Sequence, residues 1–174
     1  MRKSIAVAVA LLAGRCLLTA SEKEPLTASV KADYQTVRNF VVRAAEKMPA
    51  DDYAFKPTPE VRSFAQQIAH IADDQYNLCA PAKGETRKAG YTAIEDSLTT
   101  KADLITALKD AFAYCDSAFA MLTDASGSDA AVGKTGRTKF GMLNWNVWHT
   151  WEHYGNIVVY LRLKGLVPPS SERR

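Results

Sequence analysis

The chain has 174 residues, 47% of them apolar and 24% charged, which is ordinary for one globular domain with an adequate core and excludes a disordered or fibrous chain. The formal charge of +3 comes from the first 21 residues. Without Arg2, Lys3 and Arg15 the 22 basic residues fall to 19, equal to the 19 acidic ones, so nothing electrostatic points to nucleic acid or an anionic membrane as a partner.

Residues 1–21 read as a signal peptide. Arg2 and Lys3 form a positive start, Ile5 to Ala13 is a short apolar run, and small residues around Ala20 offer cleavage sites. The run is too short to span a bilayer, which needs about 20 apolar residues. The mature chain, 22–170, is therefore expected to be exported, periplasmic or secreted. Cys16 sits where a lipid could be attached, but Arg15 directly before it is wrong for a lipoprotein signal. Two cysteines then remain. Cys79 and Cys115 are either a disulfide of an oxidising compartment or two small buried thiols.

The first expected helix covers 28–48, where Val30, Tyr34, Val37, Val41, Ala44 and Met48 recur at helical spacing before Pro49. A proline-rich loop follows to Pro59. Ser63 with Gln66 forms a capping box opening a second helix, expected to run to about Ala80 and be closed by Pro81. Its stripe is Phe64, Ile68, Ile71, Gln75 and Leu78, with His70 and Asp74 on one flank. Residues 82–98 form a connection with a short turn around Ile94. Thr100 and Asp103 cap a third helix with an apolar stripe from Leu104 to Leu122, on which Cys115 faces the core. Residues 124–140 are a loop. Its Gly133-Lys134-Thr135 is not a phosphate-binding loop, because the spacing to Gly127 is wrong and no apolar strand precedes it.

The fourth helix, about 142–164, is framed by Gly141 and Gly165 and stopped by Pro168-Pro169. Four amphipathic helices without a period-two segment give an all-α fold, a four-helix bundle in a single domain. This last helix is apolar nearly all round, the mark of a buried one. Val147, Trp151, Tyr154, Val158 and Leu161 make a ridge that needs a cover, either the connections at 49–62 and 82–98 or a second subunit. A homodimer through the fourth helix is the expectation.

Its other side carries His149 and His153, one helical turn apart and able to share one metal ion. The chain has three histidines, and the third, His70, lies in the second helix. Three imidazoles with an open fourth position suit a catalytic divalent metal, zinc or nickel above others, which activates water or a thiol for attack. Asp74 and Glu152 fall on the histidine sides of their helices and are candidates to orient a ligand or act as general base. Asp73 is read as solvated helix surface. A fourth protein ligand from Asp74 or Glu152 would favour a structural metal site over an enzyme.

The ordered set of His70-Ile-Ala-Asp73, the Phe55-Lys-Pro-Thr-Pro-Glu60 loop, His149-x-x-x-His153 and Tyr160-Leu-Arg-x-x-Gly165-Leu-x-Pro168-Pro169 resembles the DinB-like superfamily over roughly 28–170. The resemblance implies a four-helix bundle, often dimeric, with a divalent metal held by His70, His149 and His153. It also implies either a metal-dependent hydrolase of a small-molecule substrate or a thiol S-transferase using mycothiol or bacillithiol. Those thiols are cytoplasmic, so the export signal ranks the hydrolase first. A non-enzymatic exported module with a structural metal is the third alternative.

Overall fold

The computed structural model describes residues 24–86, 93–133 and 135–172. The expected signal segment, with Cys16, lies outside them. The described residues form α1 (Pro25–Lys47), α2 (Phe64–Lys83), a short α3 (Ile94–Ser97), α4 (Lys101–Met121) and α5 (Lys139–Leu163), with three single 3-10 turns and no strand among them. The four long helices make the expected bundle, and the fourth predicted helix is α5.

Most boundaries follow the local chemistry. Ser63 accepts from the Gln66 N–H while the Gln66 side chain accepts from the Ser63 N–H, the full capping box. Thr100 caps α4 by accepting from the Asp103 N–H. Three boundaries differ from expectation, the first being α1, which starts at Pro25 and not at 28. Pro81 does not close α2 but sits inside its last turn, and the helix runs on to Lys83. The stop comes at Gly84, whose φ of +82° lets the chain reverse while the Glu85 N–H returns to the Ala80 carbonyl. At α5 the cap is Thr138, which accepts from the Gly141 N–H, so Gly141 lies inside the helix.

The packing order is α1–α4–α2–α5 around the core, with α1 facing α2 and α4 facing α5 across the diagonals. Lys31 at the start of α1 donates to the Leu122 carbonyl beyond α4, and Lys101 at the start of α4 donates to the Glu46 and Met48 carbonyls, so α1 and α4 are antiparallel. Gln75 meets Asn146 while Phe64 meets Tyr160, so α2 and α5 are antiparallel too. α2 and α4 run parallel, as Tyr76 beside Tyr114 and Cys79 beside Cys115 show. A parallel neighbour needs a connection that travels back along the bundle, about 30 Å for a helix of this length. That requirement accounts for the long connection between Lys83 and Lys101, which carries α3.

The ridge of α5 packs against α1. Phe40 of α1 stacks on Tyr154 at 5.4 Å between ring centroids and meets Trp151 edge-on at 5.9 Å. The Tyr154 hydroxyl donates to Ser170 from the C-terminal turn. Val147, Tyr154 and Leu161 are buried, so the chain's own α1 removes the need that argued for a second subunit at this ridge. α5 is also not buried all round. Trp148 (48%), Val159 (50%) and Leu163 (58%) are exposed on a separate outward strip.

Cys79 and Cys115 are joined as a disulfide across α2 and α4, with Cα atoms 5.4 Å apart and both residues fully buried. Unfolded, oxidised protein should therefore show no reactive thiol at either position. The Cys79→Ser/Cys115→Ser pair should be less stable by about 3–4 kcal/mol in urea titration, the loop-closure entropy for a sequence separation of 36. Two titratable thiols in unreduced protein would contradict the bridge.

Candidate metal centre

The antiparallel contact of α2 and α5 builds the site. His70 and Asp74 are one turn apart on α2, and His149 and His153 are one turn apart on α5. Opposite helix directions set His70 against His153, with rings 4.6 Å apart, and Asp74 against His149, with Oδ2 at 3.5 Å from Nδ1. One ligand atom from each of these four residues lies within 4.8 Å of every other. Four donors from two adjacent turns thus converge on one point.

The approach of two imidazole nitrogens is the most informative. His149 Nε2 and His153 Nε2 are 3.2 Å apart. Two nitrogens on a tetrahedral ion with bonds near 2.05 Å would be separated by about 3.3 Å. His70 presents Nε2 to Asp74 Oδ2 at 3.0 Å. The Asn77 amide donates to the other Asp74 oxygen at 3.0 Å, which fixes the carboxylate. The three histidines expected from the sequence are therefore brought together and their donor set suits a divalent ion. Asp74 joins them, and Glu152, the other candidate acid, is exposed and outside the cluster.

Residues that sequence reasoning missed support the cluster from behind. The Gln67 side-chain oxygen lies 2.9 Å from His153 Nδ1 and accepts that N–H, leaving Nε2 for the ion. Gln67, His70 and Asp74 are spaced i, i+3, i+7, so this face was readable from the helix period. Beyond it a buried polar seam runs between the two helices. The Asn146 amide donates to Gln75, Gln75 donates to Thr150, and Thr150 donates to the Asn146 carbonyl. These bonds meet the need of polar groups placed in an apolar interface. Within this seam Asn146 Oδ1 stays buried without a hydrogen-bond partner.

Burial keeps two of the imidazoles, His153 and His70, in the neutral form. His153 is 6% exposed, and burial, reinforced by His149, His70 and Arg62, lowers its pKa to about 3. Burial also lowers His70, outweighing the opposite pull of Asp74 and Glu95. A neutral imidazole is the form that binds a metal. The site still reaches water, since the side chains of His70 and His149 are 21% exposed and Asp74 17%. The indole of Trp148 stands edge-on to His149 at 6.0 Å.

The depressed His153 pKa has a stability consequence in the metal-free protein. Unfolded His153 takes a proton near pH 6.5, whereas folded His153 takes one only near 3. The unfolded state binds more protons between these values, so stability falls as pH drops through this window. Chelator-treated protein should lose about 1–2 kcal/mol from this residue between pH 7 and pH 5. His153→Gln should show a shallower acid loss in parallel urea titrations, and identical slopes would exclude His153 as the cause.

The comparisons agree with this architecture. The model of the DinB superfamily matches residues 33–157. The crystal structure of a DinB-like protein, YjoA from Bacillus subtilis, superposes with a TM-score of 0.64 at 20% identity, covering 83% of this chain and 99% of that one, a likeness of fold alone. No curated protein matches. With the family match spanning well over half of its length, the chain belongs to the DinB superfamily.

Proposed function

We propose that His70, His149 and His153 hold one divalent metal ion, zinc or nickel above others, and that the protein is a metal-dependent hydrolase of a small molecule. The observation that carries this reading is the convergence of the three imidazoles, with the 3.2 Å approach of His149 and His153 at its centre. A divalent cation at that point supplies Lewis acidity. Gln67 holds the His153 ring, and Asp74 is placed to take a proton from an attacking water. Solvent access and the flanking Trp148 leave room for a substrate. A cavity of about 240 Å³ between Pro57, Val61, Gln67, Asn156, Val159 and Tyr160 adjoins the back of the cluster through Gln67.

One specific observation favours a second reading. Asp74 is close enough to serve as a fourth ligand, and four protein ligands would make the metal structural. A thiol S-transferase remains the family alternative. The Cys79–Cys115 bridge supports export into an oxidising compartment, as does the leader's composition, and this ranks hydrolysis above thiol transfer. A homodimer through α5 would use the outward strip of Trp148, Val159 and Leu163 in place of the ridge covered by α1.

Metal analysis of purified mature protein should give about one zinc or nickel per chain, collapsing in His149→Ala and His153→Ala. Unchanged content in both variants would falsify the site. Asp74→Ala separates the two readings: retained metal with lost ester or amide hydrolysis supports the enzyme, and lost metal supports the closed structural site. For assembly, sedimentation should show a dimer at micromolar concentration that Val159→Glu converts to monomer. A wild-type monomer would remove the α5 interface.

A further inference from the structure

Asp73, read from sequence as solvated surface, is only 6% exposed. A buried carboxylate is costly unless its oxygens are hydrogen-bonded. Here Oδ1 accepts the Ile94 N–H and Oδ2 the Glu95 N–H, each at 3.1 Å. These are the first two amides of α3, a helix of four residues that could not persist in isolation. Asp73 thus ties α3 to α2 at the turn beside His70, and the buried Ile94 adds an apolar contact there.

The pinned helix presents Glu95 to the site. Its Oε1 accepts from Arg62 Nε at 3.0 Å. The Arg62 backbone is itself held, because its carbonyl accepts the Tyr160 hydroxyl from α5 at 2.5 Å. With one oxygen engaged, the other, Oε2, stands 3.7 Å from His70 Nδ1. The opposite ring nitrogen, Nε2, is the one that faces Asp74 and the cluster. The His70 ring is therefore set between two carboxylates, one on the ligand side and one behind it. A carboxylate behind a ligand imidazole fixes its tautomer and rotation and raises its basicity.

We propose that Glu95 is a positioning residue for His70, and that Asp73 sets Glu95 by capping α3. The proposal rests on the metal reading of the cluster. Glu95 does not bind the ion; its charge, 3.7 Å from Nδ1, favours the His70 tautomer with the proton on Nδ1 and so leaves Nε2 free to donate. Asp73 acts one step further back, through the backbone of α3. The proposal assigns a role in the site to the connection between α2 and α4.

Zinc affinity of the full mature chain, measured by chelator competition, tests this directly. Glu95→Gln should weaken zinc binding about 10- to 100-fold, the range for outer-shell partners, while the melting temperature of the metal-free protein stays unchanged. Asp73→Asn should weaken binding similarly, yet add little in the Glu95→Gln background, because both changes break one chain of contacts. Glu95→Gln affinity within twofold of wild type overturns the proposal. So does a full additional loss when Asp73→Asn is placed in that background, since Asp73 would then act by another route. If wild-type protein binds no zinc or nickel at all, the metal reading itself has failed and this inference falls with it. Glu95→Gln stays informative even if Asp73→Asn fails to fold.

Discussion

The antiparallel contact between α2 and α5 is the constraint on which the rest depends. Those two helices carry every histidine in the chain, and their opposite directions match two i, i+4 pairs against each other. Parallel packing of the same sequences would set His70 opposite His149 and move Asp74 toward His153, with different atoms facing. The seam also defies the usual composition of a helix interface. Gln67, Gln75, Asn146, Thr150 and His153 are all buried in it. Each is tolerated because a partner stands across the gap, and a register shift of one turn would orphan most of them. Polar complementarity thus fixes the register of the two helices, as the apolar stripes alone would not.

The remaining helices complete the enclosure. α4 packs on α2 through Tyr114 beside Tyr76 and the disulfide, and α1 seals α5 through Phe40 and stacks Tyr34 on Phe119 at 3.9 Å. Glu172 near the end of the described chain pairs with Arg43 and Lys47, fastening the C-terminal turn along α1. Apolar mass therefore lies on the far sides of both site helices. The histidines occupy the boundary between that mass and solvent, where burial holds His70 and His153 below the ordinary histidine range while the site stays accessible.

Much of this was legible in the sequence because it rests on period and caps. The four long helices, the Ser63 capping box and the three-histidine set all follow from local spacing. What escaped is long-range or depends on context. Pro81 signals a helix end in isolation, but α2 continues past it to Lys83 and Gly84 supplies the stop. Asp73 and Asp74 are adjacent acids on one helix, and only the return of the chain through α3 separates a buried cap from a site residue. The α5 ridge was visible as apolar, whereas its cover, Phe40, lies more than a hundred residues earlier. Glu95 carried no local signal, since its meaning arises from Arg62 and His70 in other segments.

The crossover between the parallel helices α2 and α4 has one more consequence. Cys79 and Cys115 close a covalent ring around it, containing α3 and the first two-thirds of α4. A protease would find exposed Gly84, Glu85 and Thr86 among the accessible places to cut. A cut there would open the ring without parting the molecule. The N-terminal fragment bearing His70 and the C-terminal fragment bearing His149 and His153 would stay tethered, at an effective concentration set by the bridge and not by dilution.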